Sequence, residues 1–235
     1  MKLGGIELGK RPIVVGTVTG EMDFPAGSVD RIDAFEMRID MFRSQALPDI
    51  VRVIKSVKAN YGKPLIATVR SKDEGGAVQI DDDKRYEIFK NVAPLVEAAD
   101  VELSSGDLLK RVFPIYKGEN RLTIASCHNF DHTPPESRLE EIVLSGKSRG
   151  ADIVKIAVKA NCKQDLIDLV LFTARHKDKN LITISLGEFG TISRIFNPIL
   201  GSLITYGYIN TPTAPGQISA LDIVEYLKVF DPTFR

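Results

Sequence analysis

The feature that most constrains this chain is an alternation of two residue patterns. Short runs rich in β-branched residues occupy 13–20, 34–40, 65–71, 100–104, 122–128, 152–158, 181–187 and 203–209. Between them, apolar residues recur with a helical period: Ile50, Val53, Ile54 and Val57, then Phe89, Val92, Ala93 and Val96. Leu139, Ile142 and Val143 form another stripe, as do Leu166, Leu169 and Val170, and a last helix is expected from near Gln217 through Leu221, Val224 and Leu227. Helix-opening signals agree, since Pro48 with Asp49, the acidic run 81–83 and the run Pro134, Pro135, Glu136 each precede a periodic stretch. Strands alternating with helices imply a parallel sheet. With no composition shift or linker along the chain, one α/β domain over 1–235, a single (β/α)8 TIM barrel, fits better than two domains. A doubly wound open sheet is the main structural rival. The connection at 21–33 is the least regular unit.

Composition narrows the functional classes. The chain has 235 residues, 43% of them hydrophobic, and a domain of that length buries roughly 70–75% of its unfolded surface. Lys plus Arg number 31 against 31 Asp plus Glu. An ordinary apolar fraction with zero net charge argues against disorder, and without a basic excess no nucleic-acid partner is expected. Two cysteines cannot staple such a chain, which points to a reducing compartment. The first ten residues lack the apolar core of a signal peptide, and no apolar run approaches the ~20 residues that cross a bilayer. A cytoplasmic protein, with no membrane partner, is expected.

Strand parity locates the chemistry. Residues two apart on a strand share a side. Glu36, Arg38 and Asp40 share one parity, opposite Phe35, Met37 and Ile39. Thr68 and Arg70 do so on the third run, Asp100 and Glu102 on the fourth, and Ser126 and His128 on the fifth. Lys155 stands between Val154 and Ile156. The polar parity gathers toward the strands' C-terminal ends, where a barrel collects its catalytic groups. Any one such residue is ordinarily solvated or salt-bridged, and a lone strand His is ordinarily structural. A mid-strand Lys inside a barrel differs, because burying an ammonium costs several kcal/mol unless it is paired or deprotonated.

An enclosed lysine suits imine chemistry. Desolvation and neighbouring arginine cations are expected to release its amine, which attacks a ketone or aldehyde. The protonated imine acidifies the adjacent C–H, and His128 has the side chain suited to take that proton. Glu74, Asp100 or Glu102 orients the imidazole in this reading, while Arg38, Arg70 and Arg194 suit a substrate with a carboxylate and several hydroxyls. Other signals are weaker. Cys127 and His128 are adjacent on a strand and so point to opposite faces. His128 and His132 have a zinc-helix spacing but bracket a loop. Gly75 and Gly76 follow a strand exit without forming a phosphate cradle, and no P-loop or G-x-G-x-x-G occurs. The segment 211–217, with prolines at 212 and 215, reads as a lid or binding loop, as does 188–191.

These residues carry a resemblance to a known family. Glu36-Met-Arg38, the stretch from Arg70 through Glu74 to Gly76, and Ser126-Cys-His128-Asn-Phe resemble type I 3-dehydroquinate dehydratases, Schiff-base enzymes of the shikimate pathway. Val154-Lys155-Ile-Ala, Ile192-Ser-Arg194 and Ala214-Pro-Gly-Gln217 continue the likeness in order over essentially the whole length. The resemblance implies that Lys155 forms the imine, His128 is the general acid and base, and Glu74 pairs with that His. It implies that Glu36, Arg38 and Arg70 hold ring hydroxyls, and that Arg194, Gln217 and Thr213 bind the carboxylate side. It further implies a homodimer, for which Phe and Tyr residues near the C-terminus are available, with neither metal nor organic cofactor. The chain departs from the family pattern with Thr213 for Ser, Tyr206 for Phe, and Ile184 and Leu186 where methionines often stand. Its N-terminal region is shorter than in the longer bacterial members, so an extra hairpin over the barrel floor is not expected. The rival readings are a Schiff-base class I aldolase, a metal-dependent hydrolase with Glu36, Asp100, Glu102 and His128 as ligands, and a catalytically silent binding barrel.

Overall fold

The computed structural model describes residues 1–22 and 29–234. Of the irregular connection at 21–33, residues 23–28 lie outside the described residues. Eight parallel strands build one sheet: β1 (Ile13–Val18), β2 (Ala34–Arg38), β3 (Leu65–Thr68), β4 (Ala98–Glu102), β5 (Leu122–Asn129), β6 (Ile153–Lys159), β7 (Leu181–Leu186) and β8 (Ile204–Tyr208). They pair in chain order from β1 to β7, and β8 returns to pair with β1. The Leu203 N–H donates to the Leu181 carbonyl at 2.8 Å across the remaining seam. The sheet is thus nearly closed into a (β/α)8 barrel, and the open doubly wound alternative falls because its first and last strands would not meet.

The outer ring holds α1 (Leu47–Tyr61), α2 (Asp82–Val92), α3 (Gly106–Gly118), α4 (Glu136–Ser148), α5 (Lys163–Arg175), α6 (Ser193–Ile199) and α7 (Ala220–Phe230). In α1 the stripe Ile50, Val53, Ile54 and Val57 is buried, Pro48 sits in the first turn, and Gly62 ends the helix at φ 62°. Asp81 caps α2 by accepting the Lys84 N–H at 2.8 Å. That helix gives way to a 3-10 turn at Ala93–Leu95, where Pro94 has no N–H to continue it. The last helix starts at Ala220 rather than near Gln217, because Ser219 is its cap. Helices α3 and α6 are additions to the sequence reading. Among the described residues no helix is long and apolar enough to cross a membrane.

Each strand splits its side chains between two packing zones. Outward residues such as Phe35, Met37, Ala67, Val101, Val154 and Ile156 pack against the helices. Inward residues near the strand starts, among them Ile13, Ala34, Ile66, Ala98, Ile124, Ile153, Ile182 and Ile204, form a separate interior cluster. Leu3 and Leu8 join that cluster from a two-stranded antiparallel hairpin, Lys2–Leu3 with Ile6–Glu7. This corrects the expectation of an uncovered floor. Leu3 and Leu8, with Ile6 packed beside them, cover the aliphatic floor, a buried Leu being worth about 1.5–3 kcal/mol.

Candidate active site

The interior is layered by the two-residue strand period. Two positions beyond the aliphatic floor stand Glu36, Thr68, Asp100, Ser126, Lys155, Ile184 and Tyr206; two further on stand Arg38, Arg70, Glu102, His128, Ala157 and Leu186. Parallel pairing sets them side by side, with Ser126 between Glu102 and Lys155 and Thr68 between Arg38 and Asp100. The floor is greasy and the strand exits are polar, so the chemistry sits at the C-terminal end of the barrel.

Lys155 is 4% exposed. Its Nζ lies 2.8 Å from Asp100 Oδ2 and 3.5 Å from Glu36 Oε1, and 4.2 Å from the centroid of the Tyr206 ring. Asp100 Oδ1 accepts from Arg70 at 3.0 Å and from the Ser126 hydroxyl at 2.6 Å. Arg70 also donates to Glu102 Oε1 and to Ser126 Oγ, both at 2.8 Å, and Glu102 is bound in turn by the buried Arg85. Positive and negative groups therefore alternate from Lys155 through Asp100, Arg70 and Glu102 to Arg85. Burial alone would raise the Asp100 pKa, but Arg70 and Lys155 prevail and hold the carboxyl far below its ordinary range. One expectation changes here. Carboxylates, not arginines, touch the lysine, and Arg70 reaches it through Asp100.

His128 is oriented by Glu74, which settles the choice among the three carboxylates. Glu74 Oε2 accepts both the His128 backbone N–H and Nδ1–H at 2.9 Å, and its Oε1 accepts the Ser104 hydroxyl at 2.5 Å. Burial, followed by the charges of Arg70 and Lys155, pushes the imidazole pKa well below the usual 6.5. The pair is thus a neutral imidazole donating from Nδ1 to a carboxylate, which leaves Nε2 as the basic nitrogen. Burial raises the Glu74 carboxyl, an effect countered in part by Ser104 and Arg70. Phe130 stacks on the imidazole at 6.4 Å between centroids. Cys127 points the other way, among the outward core residues, and burial lifts its thiol to about 11.

Two further arginines frame the pocket. Arg38 makes a two-pronged pair with Asp40, at 3.0 and 2.9 Å, and donates to the Gly75 carbonyl at 3.3 Å. Asp40 also accepts the Arg70 and Ala77 backbone N–H groups, so it anchors both ends of the loop that carries Glu74. Arg194, on α6, is 2% exposed, and burial lowers its pKa to about 10. It donates to the Gly216 carbonyl at 3.1 Å and the Tyr206 carbonyl at 2.9 Å, while Nη2 has no partner among the described residues.

The segment 211–217 lies over this arginine. Gly187 N–H donates to the Pro215 carbonyl at 3.2 Å, and Gln217 Oε1 accepts the Thr213 backbone N–H at 2.6 Å and its hydroxyl at 2.9 Å. Gln217 in turn donates to Thr17 at 3.3 Å. Gly216 has φ +72°, and a Cβ there would sit 2.2 Å from the Gly187 carbonyl oxygen.

All the site residues named from the sequence line one pocket: Glu36, Arg38, Arg70, Glu74, His128, Lys155, Arg194, Thr213 and Gln217. Ile184, Leu186 and Ala157 supply an apolar wall. Residues absent from that set include Asp100 and Tyr206, both beside Lys155, and the supports Asp40, Ser104, Ser126 and Arg85. Asp40 and Ser126 carried a parity signal, whereas Ser104 and Arg85 carried none. The ligands of the metal-hydrolase alternative are otherwise engaged, with Lys155 or arginines on Glu36, Asp100 and Glu102, and Glu74 on His128. Among the described residues the close trio of possible metal donors is Glu136, Glu140 and His176 on the outer ring, where Arg175 holds Glu136 at 2.7 Å.

The chain is similar to known proteins in sequence and in fold. A family model described as type I 3-dehydroquinase matches residues 13–233. A 3-dehydroquinate dehydratase of Thermodesulfovibrio yellowstonii is 38% identical over 210 residues, covering 88% of this chain and 90% of the relative. The crystal structure of a 3-dehydroquinate dehydratase from Geobacillus kaustophilus matches with a TM-score of 0.88 at 25% identity, covering 98% of this chain and 95% of that one. A type I enzyme from Clostridium difficile, described with covalent modified comenic acid, matches at 0.87 and 25% identity, covering 98% and 96%.

Proposed function

We propose a mechanism that starts from one premise: the chain belongs to the type I 3-dehydroquinase family, and its activity is the dehydration of 3-dehydroquinate. The observation that carries the mechanism is the enclosure of Lys155 in the same pocket as His128, whose Nδ1 is fixed by Glu74. The Lys155 ammonium passes a proton to His128 Nε2, and the freed amine adds to the C3 ketone. His128 returns that proton to the carbinolamine oxygen, which leaves as water, and an iminium remains. That iminium withdraws electrons from the C2–H bond, and His128 Nε2 takes the proton to give an enamine. The enamine expels the C1 hydroxyl, which His128 protonates, so the oxygen leaves as water and the histidine returns to neutral. Water then hydrolyses the conjugated imine, releasing 3-dehydroshikimate and restoring Lys155.

The surrounding residues position the ring. Glu36, Arg38 and Arg70 bind its hydroxyls, and Arg194 pairs its free Nη2 with the carboxylate, supported by Gln217 and Thr213 on the closing segment. The covalently modified ligand described for the Clostridium difficile relative supports a nucleophile in this site. The reaction is the third step of chorismate biosynthesis in the shikimate pathway. A homodimer, implied by the resemblance, is supported by the exposed Tyr226, Val229 and Phe230 of α7.

A steady-state assay tests the proposal by following the ultraviolet absorbance of the conjugated enone product. The unaltered enzyme turns over 3-dehydroquinate and Lys155→Ala does not. Turnover within tenfold of the unaltered rate in Lys155→Ala would refute the imine route.

A further inference from the structure

The pocket holds a second buried donor with nothing to bind. Tyr206 is 3% exposed and lines the pocket, yet its hydroxyl has no hydrogen-bond partner among the described residues. The nearby acceptors are already committed. Glu36 takes Thr68 at 3.0 Å as well as Lys155, and Asp100 takes Arg70, Ser126 and Lys155. Most buried hydroxyls in folded proteins have a partner, and an orphan is costly to keep. The strand position of this tyrosine is fixed from behind, since its own carbonyl accepts from Arg194. Tyr206 and Arg194 thus both line the pocket, and each carries a buried donor, Oη and Nη2, without a partner among the described residues.

We propose that Tyr206 is a substrate-binding residue whose hydroxyl donates to an oxygen of the hydroxylated ring held by Lys155, and that it reads the presence of that oxygen. The inference rests on the imine reading above, because the ring face of Tyr206 lies beside the Lys155 amine. A ligand tethered to Nζ therefore starts within reach of this side chain. Burial holds the phenol pKa well above its ordinary value, so the group stays a donor across the working pH range. A phenyl ring here would keep the packing against Lys155 but leave that side of the ring without a polar contact. A site that spends a buried donor on a substrate hydroxyl discriminates against ligands lacking it.

The test compares the full chain with Tyr206→Phe, measuring kcat and KM for 3-dehydroquinate, the melting temperature, and borohydride-trapped adduct on Lys155. We expect the adduct to persist, kcat/KM to fall about tenfold, and the fold to melt at the same temperature or roughly 2–4 °C higher, since an unpaired buried hydroxyl has gone. Unchanged kcat/KM overturns the inference while leaving the imine mechanism standing. A fall in kcat/KM accompanied by a lower melting temperature also overturns it, as the hydroxyl is then structural. An unaltered enzyme that traps no adduct overturns the imine reading itself, and the inference with it.

Discussion

Asp100 and Lys155 meet inside the barrel with Oδ2 2.8 Å from Nζ, while the other oxygen of the same carboxylate binds Arg70 at 3.0 Å. One buried anion therefore answers two buried cations. Asp100→Asn preserves the shape and removes the charge, leaving Arg70 and Lys155 undercompensated. We expect the unfolding free energy to drop by about 3–5 kcal/mol, the usual cost of breaking a buried pair from one side, as read by urea denaturation. The acid limb should change too. The folded-state pKa of Asp100 is depressed, so its contribution is fully present above the unfolded value of about 4 and is lost as pH falls toward the folded one. The variant should show a shallower loss of stability below pH ~4.

His128 gives a second pH signature. Its folded pKa is lowered by burial first and by Arg70 and Lys155 next. The base therefore stays neutral as pH drops past the ordinary histidine value of about 6.5, and the acid limb of kcat/KM falls beneath that value. Its contribution to stability is present above that unfolded value and declines as pH drops beneath it, because the unfolded chain takes up the proton first. Ring resonances of His128 followed by NMR from pH 8 to 5 should not move through a midpoint near 6.5. A midpoint there would contradict the account.

In the proposed mechanism Glu74 acts through the imidazole, which it holds at Nδ1, and not on the substrate. Glu74→Gln presents Nδ1 with an amide that can donate as well as accept, so the ring can settle in the wrong tautomer. We expect kcat to fall at least about a hundredfold while KM changes little. The melting temperature should hold, since the carboxyl is already disfavoured by burial. A rise in KM with kcat intact would place Glu74 in binding instead.

Much of this site was legible because a strand's period is two. Glu36, Asp100 and Lys155 share a barrel level, and Arg38, Arg70 and His128 the next, so counting along each strand sufficed. What counting does not give is partner choice. Asp100 pairs with Lys155 rather than with His128 because Glu74 arrives from a loop after β3, a placement with no periodic signal. The orphaned Tyr206 hydroxyl is likewise invisible until its neighbours are seen to be occupied. Helix α3 was readable, since Leu108, Leu109, Val112, Phe113 and Tyr116 form a buried helical stripe. Helix α6 is only Ser193–Ile199, too short for a period to emerge. The N-terminal hairpin pairs just two residues per strand, so only Leu3 and Leu8 hint at it.

The closing segment depends on backbone contact. A Cβ on Gly216 would stand 2.2 Å from the Gly187 carbonyl oxygen, at a φ of +72°. Gly216→Ala should keep 211–217 from seating, and Arg194 would lose its bond to the Gly216 carbonyl. KM for 3-dehydroquinate should rise about tenfold or more, and thermolysin should cut faster before Ile218, at the end of the segment. Unaltered KM and cleavage would show that seating does not matter for binding.

The central claim is a covalent bond between Lys155 and the substrate carbonyl, and trapping tests it most directly. The enzyme is mixed with 3-dehydroquinate, reduced with borohydride, weighed intact and digested. The account predicts one stable adduct per chain, on the peptide carrying Lys155, with a mass equal to the bound ketone less one water plus two hydrogens. An adduct on another lysine, or full turnover with no adduct, would contradict it.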